Sequence, residues 1–373
     1  MSSYSYKIIE KHDKSFNFKA IFNGNTGFYI RTGILKDGKD TGVDPFMSSF
    51  PELIDVGIMG QCKCANRCNV DCYQNAINRQ EPNMSLDDFK RIVDECRGKT
   101  FEFAIGGAGD PDTHENFAEI LRYCAINDIV PNFTTSGILL NSDSIRLCQE
   151  YCGAVAVSEH NAEYTKKAVN NLINAGVKTN IHYVLNKDTI RNAINILHGK
   201  KEYYPGLNAV VFLLYKPVGL GKADKVLTPE NEDVIEFFEA VDNRQVDFKI
   251  GFDSCSCTGL LNYCKTYDAR YIDFCEGARF SMYISADMKA MPCSFANQNS
   301  EWWYDIKDKS VNDAWHSDVF NKFRQHLQFS CPNCKDRNCC AGGCPLMESI
   351  SLCRREEKVG YDICDRGHTR VRI

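Results

Sequence analysis

The chain has 373 residues, 43% of them hydrophobic, and a formal net charge of −5. That length and apolar content allow a full core, in one large domain with an appendage or in two modest domains. The mild acidity, with no basic block beyond short clusters such as "CRREEK", leaves no broad phosphate-binding face, so nucleic acid is not expected as a partner.

The first residues, "MSSYSYKIIEKHDK", lack the apolar centre of a signal peptide, and no apolar run nears the roughly 18 residues of a membrane helix. A cytoplasmic protein without a membrane partner is expected. In that reducing compartment twenty cysteines are not a disulfide framework, so clustered thiols point to metal. Residues 1–52 read as a strand-rich extension ("FKAIFNGNTGFYIRTG") with no assignable chemistry.

From residue 53 to about 250, apolar runs suited to buried strands alternate with helically spaced segments, the pattern of a parallel α/β sheet. The predicted strands are "LIDVGIM", "TFEFAIGG", "VPNFTTSG", "GAVAVSE", "KTNIHYVLN" and "LNAVVFLLYK". The first helix follows Ser85, an N-cap with Asp88 three residues on. Others are expected near 114–127, 142–152, 161–175, 188–200 and 229–243. Six units fit an open partial barrel or a doubly wound sheet, and both place chemistry at the carboxyl ends of the strands. Cys96, Cys124, Cys148 and Cys152 fall in helix-like segments and are expected in the core.

The loop after "LIDVGIM" carries Cys62, Cys64, Cys68 and Cys72, the last followed by Tyr73. Cys64, Cys68 and Cys72 form a C-x3-C-x3-C run that can wrap an iron–sulfur cluster, though four such thiols also suit zinc. The loop resembles that of the radical S-adenosylmethionine (SAM) superfamily, in which three cysteines hold a four-iron cluster with one iron left for SAM. The usual spacing is C-x3-C-x2-C. The extra residue here leaves Cys62 and Cys64 as rivals for the first ligand, with Cys64 preferred.

The next strand ends in "FAIGGAGDPDTHENF", which resembles the family's glycine-rich segment for the SAM amino group. Gly106 and Gly107 match, and Asp110-Pro111 stands where Glu-Pro is usual. The resemblance also puts Ser136 and Ser158, at the ends of the third and fourth strands, near the ribose and carboxylate of SAM. Either serine suits a helix cap equally well. Glu159 and His160 beside Ser158 are candidates to face a substrate or to be structural.

Beyond "GFDS" the periodicity breaks down, and residues 251–373 read as held together by metal more than by a core. "CPNCKDRNCCAGGC" gives C-x2-C-x5-C-x3-C through Cys331, Cys334, Cys340 and Cys344. Preceded by Cys275 and Cys293 and followed by Cys364, this order resembles the SPASM domain, which holds two auxiliary four-iron clusters. The resemblance implies an α/β partial (β/α)6 barrel of the radical SAM type at 53–250 with a SPASM extension. It assigns Cys331, Cys334, Cys340 and Cys364 to the outer cluster and Cys275, Cys293 and Cys344 to the inner one. A fourth inner ligand is Cys255, Cys257 or Cys264, with Cys255 preferred, or none. Cys339 and Cys353 remain unassigned.

The resemblance further implies SAM and three [4Fe-4S] clusters as cofactors, and a flavodoxin- or ferredoxin-like reductant. The substrate expected is a peptide or protein side chain, oxidised or cross-linked after hydrogen abstraction. About 60 residues precede the first cluster, little room for a leader-binding domain, so a separate leader-binding protein is a candidate partner. Small-molecule oxidation is the enzymatic alternative. Sulfatase maturation is disfavoured by Ser294, which follows the second SPASM cysteine where that branch has aspartate. An electron carrier or a zinc module is the non-enzymatic alternative.

Overall fold

The computed structural model describes residues 3–68, 70–200, 203–266, 271–296, 299–329, 331, 334, 340–354 and 369–372. Strands β1 (Ile8–Asp13), β2 (Phe18–Asn23) and β3 (Phe28–Thr32) form an antiparallel meander, followed by a small hairpin of β4 (Leu35–Lys36) and β5 (Lys39–Asp40). The barrel then alternates β6 (Leu53–Met59), α1 (Leu86–Cys96), β7 (Glu102–Gly107), α2 (Phe117–Ile126), β8 (Val130–Thr135), α3 (Ser142–Tyr151), β9 (Val155–Ser158), α4 (Ala162–Asn174), β10 (Thr179–Leu185), α5 (Ile190–Leu197), β11 (Ala209–Leu214), α6 (Glu232–Asp242) and β12 (Lys249–Phe252). Every expected strand and helix is present. Ser85 caps α1, its hydroxyl accepting the Asp88 N–H at 3.1 Å.

Two features were not legible beforehand. β12 is a seventh parallel strand, beside β11. The C-terminal region also continues the same sheet: β13 (Ser281–Ile284) runs parallel to β6, with β14 (Lys289–Met291) and β15 (Tyr304–Asp305) antiparallel beyond it. The full order is β12-β11-β10-β9-β8-β7-β6-β13-β14-β15.

After β12 come α7 (Cys257–Tyr263), α8 (Val311–Trp315) and α9 (Asp318–Phe329). Phe280, Trp315, Phe320 and Phe323 are fully buried, and Met282, Trp315, Phe320 and Phe323 join the hydrophobic cluster of the barrel. The expectation that metal replaces a core in this region is therefore corrected: it has a core, continuous with that of the barrel. Cys96, Cys124, Cys148 and Cys152 are buried, as expected.

The strands alternate between two environments. In β10, Thr179, Ile181, Tyr183 and Leu185 are buried, whereas Asn180, His182 and Val184 are half-buried. The same alternation in β7 buries Phe103 and Ile105 and leaves Glu102, Ala104 and Gly106 half-buried. Helix-side positions pack under the helices, and the others line an open lumen, because successive side chains of a strand point to opposite faces. Toward the amino ends of the strands the lumen holds a cavity of about 280 Å³, bordered by Glu102, Asn132, Thr134, Asn180, His182 and Phe22 with its loop.

The N-terminal meander is anchored by Arg31, 1% exposed, which pairs with Asp273 at 3.0 Å and Glu52 at 3.7 Å and stacks on Phe280 at 3.6 Å. β16 (Thr369–Arg372) adds a fourth strand to that sheet, beside β3.

Candidate active site

Past Met59 the chain leaves the sheet in a long loop whose neck is tied shut. Met84 N donates to Ile58 O at 2.8 Å, and Gly60 N to Asn83 Oδ1 at 3.1 Å. The end of β7 lies directly on this neck, with Ala108 N donating to Met59 O at 2.8 Å. Gly107 makes the approach possible: its φ is +122°, and a Cβ there would stand 2.7 Å from Met59 N and O. A Cβ on the neighbouring Gly106 would meet nothing within 4 Å, so the strand end presents bare backbone to open space.

The loop brings its four thiols to one place. Cys64 is buried and Cys62, Cys68 and Cys72 are half-buried. A hydrogen bond with Cys64 pushes the Cys62 thiol down to about 7 and that of Cys64 up. Burial first, then Cys72, Cys62 and Asp110, pushes Cys68 up to about 11. Cys62 and Cys64 therefore both stand at the site, where sequence spacing had made them rivals.

Asp110 joins this group to the third strand. Its carboxylate accepts the Ser136 N–H at 2.7 Å, the Ser136 hydroxyl at 2.5 Å and the Cys64 thiol at 3.5 Å. Next to it, Asp112 accepts the Thr135 hydroxyl at 2.9 Å, and burial together with Asp110 raises it to about 6. Ser158 ends β9 opposite His182. His160 stands near both Asp110 and His182, and burial with His160 beside it pushes His182 down to about 4. Glu159 accepts the Tyr203 hydroxyl at 2.7 Å.

Cys255, which follows β12, hydrogen-bonds Cys344. Cys275 lies beside Cys293 and Cys255, and Cys293 beside Cys255. Cys255, the preferred candidate for a fourth inner position, stands in this group. Cys264 is buried against Phe238 O at 4.0 Å. A second group gathers around Cys340, with Cys353, Cys331 and Cys334 as neighbours. Cys353 had no assignment from spacing; Cys364, the residue expected there, and Cys339 lie outside the described residues.

Among the described residues no three His, Cys, Asp or Glu side chains close tightly enough for a single metal ion. Thiolates around a four-iron cube grip different corners and stand farther apart. Three thiol groups, the first with bare backbone and a carboxylate beside it, fit such cubes and an amino-acid-bearing ligand.

Sequence reading missed the contacts between these groups. Tyr73 hydrogen-bonds Ser294 and packs its ring on Phe295 at 4.7 Å, so the residue after Cys72 meets the residues after Cys293. Leu220 N donates to Cys72 O at 3.0 Å, docking the loop after β11 on the same place. Lys216 from that loop is buried in an ion pair with Asp253. A lysine just past a strand's carboxyl end was a readable signal; its partner was not.

Comparison with known proteins bears on the fold and on the C-terminal region. Residues 275–340 match the model of SPASM, an iron–sulfur cluster-binding domain. The tungsten-containing aldehyde ferredoxin oxidoreductase cofactor-modifying protein of Pyrococcus furiosus is 24% identical, over 74% of this chain and 86% of that protein. SuiB of Streptococcus suis, solved bound to SAM, superposes with a TM-score of 0.70 at 16% identity, covering 94% of this chain and all of SuiB. anSMEcpe with bound AdoMet superposes with a TM-score of 0.58 at 17% identity, over 82% of this chain and 95% of its own. The chain thus has the fold of SuiB and anSMEcpe, and its residues 275–340 match the SPASM iron–sulfur cluster-binding domain.

Proposed function

We propose that the chain is an enzyme that cleaves SAM reductively and uses the resulting radical to abstract hydrogen from a peptide or protein side chain, leading to oxidation or cross-linking. The observation that carries this reading is the meeting, at the carboxyl end of β6–β8, of the cysteine loop, the open backbone at Gly106 and the Asp110–Ser136 pair. SuiB has also been solved bound to its precursor peptide SuiA, and anSMEcpe with peptides, which supports a peptide substrate here.

In this reading Cys64, Cys68 and Cys72 hold the SAM-binding four-iron cluster. Cys255, Cys275, Cys293 and Cys344 hold the inner auxiliary cluster. Cys331, Cys334 and Cys340 hold the outer one with Cys364, the next cysteine by family order, while Cys353 is the thiol that stands beside Cys340. When bound, the first cluster supplies one electron to the SAM sulfonium, giving methionine and a 5′-deoxyadenosyl radical. The chain's own residues then have defined tasks. Gly106 and Gly107 admit the methionine end of SAM, Asp110 accepts from its ammonium, and Ser136 and Ser158 bind the ribose and carboxylate. The lumen holds the target C–H and keeps solvent and oxygen from the radical.

A second reading, action on a small molecule, is favoured by the Pyrococcus furiosus relative, whose name describes cofactor modification. The first test is anaerobic reconstitution followed by SAM and dithionite. The expected result is about twelve irons per chain and release of 5′-deoxyadenosine. Zinc, or iron without cleavage, overturns the proposal. Hydrogen exchange from deuterated peptides into 5′-deoxyadenosine then separates peptide from small-molecule substrates.

A further inference from the structure

Lys216 is a charged side chain that the proposed chemistry does not use. Its side chain is 2% exposed, and its surroundings are built around it. The ammonium donates to Leu214 O at 2.7 Å, pairs with Asp253, and lies 4.6 Å over the ring of Phe295. Asp253 is two residues before Cys255, and Phe295 is two residues after Cys293. The cation is therefore bracketed by the segments that carry two thiols of the inner group.

Lys216 is therefore a buried, fixed cation beside any cluster held there, in a site of low dielectric where fixed charges count most. The Phe295 ring also packs on that of Tyr73, next to Cys72, so one ring touches both the cation and the first cysteine loop.

We propose that Lys216 is a positioning residue that raises the reduction potential of the inner auxiliary cluster. The reasoning rests on the cluster assignment made above. Reduction adds a negative charge to the cluster, and a fixed cation beside it stabilises that state; charge and hydrogen bonding around a cluster are the levers by which a protein sets its potential. The consequence is a centre better able to take up an electron given up by a substrate radical.

The test is an EPR-monitored redox titration of the full, anaerobically reconstituted chain. The inner couple is identified as the one that Cys293→Ala removes. Lys216→Met is expected to lower its reduction equilibrium about tenfold, which is about 59 mV for one electron, and to leave the other two couples in place. Lys216→Arg is expected to restore it. Asp253→Asn, which leaves the cation unopposed, is expected to shift the same couple the other way and carries the test if Lys216→Met does not retain its iron. Unchanged inner potentials in iron-replete variants, equal shifts in all couples, or a downward shift in Asp253→Asn would each overturn the proposal. Failure of the cluster assignment is separate: the unaltered chain would then show no inner couple at all.

Discussion

Replacing Asp110 by Asn changes one atom and removes a charge at the point where three elements meet. In the metal-free chain the carboxylate takes two hydrogen bonds from Ser136 and one from Cys64. Once Cys64 binds iron as a thiolate it no longer donates, leaving acceptor capacity on Asp110 for a ligand ammonium. A hydrogen bond to a charged group contributes about 1.5–3 kcal/mol, and each 1.4 kcal/mol is tenfold in affinity. Asn retains an acceptor for Ser136 N but loses the charge that holds the ammonium. Asp110→Asn is therefore expected to weaken SAM binding roughly ten- to a hundredfold while keeping the iron content of the parent. The assay is equilibrium dialysis of labelled SAM against anaerobically reconstituted protein, with Ser136→Ala as a milder comparison. Affinity within threefold of the parent, with full iron loading, would refute the role given to Asp110.

Gly219 has φ +68°, and a Cβ there would stand 2.4 Å from Tyr73 O and 2.6 Å from Cys72 O. Gly219→Ala must displace the cysteine loop, and iron analysis after reconstitution should show a loss of roughly a third, one of three four-iron clusters. Asp112 is raised from 3.8 to about 6 by burial and Asp110, so the folded chain binds the proton more tightly than the unfolded one. Its contribution is present below about pH 4 and lost as pH rises through 6; relative to the parent, metal-free Asp112→Asn should gain about 2–3 kcal/mol between pH 4 and 7, measured by urea unfolding. Arg31→Met removes the buried cation beside Glu52 and one of the two arginines paired with Asp273, the other being Arg279. A loss of about 3–5 kcal/mol is expected, seen as a lower midpoint in the same unfolding experiment.

The barrel was readable because each central strand buries its helix-facing side chains completely and leaves few charges on the other face, so "LIDVGIM" and "LNAVVFLLYK" stand out as apolar runs. β12 escaped because it is four residues long, begins with an exposed lysine and is otherwise only half-buried. β13 escaped for a different reason. A parallel partner for β6 more than two hundred residues away is a non-local pairing that no local pattern announces.

The cysteine spacings, the paired glycines and Asp110 were decided locally. A loop of a few residues can only place its thiols within a few ångströms of one another, whatever surrounds it. Which distant thiols join them depended on chain crossings. Cys255 meets Cys344 and lies beside Cys275 and Cys293 because β12 and the segments flanking β13 converge, although they lie at opposite ends of the seven-strand barrel and the sheet order alone separates them widely. Lys216 and Asp253 meet because β11 and β12 are parallel neighbours, so the residues just past their ends lie side by side. Sequence spacing pointed to the kind of chemistry, since ligand type and loop length act at short range; tertiary structure alone decided which charges and thiols surround it, because those contacts exist only once distant segments have packed together.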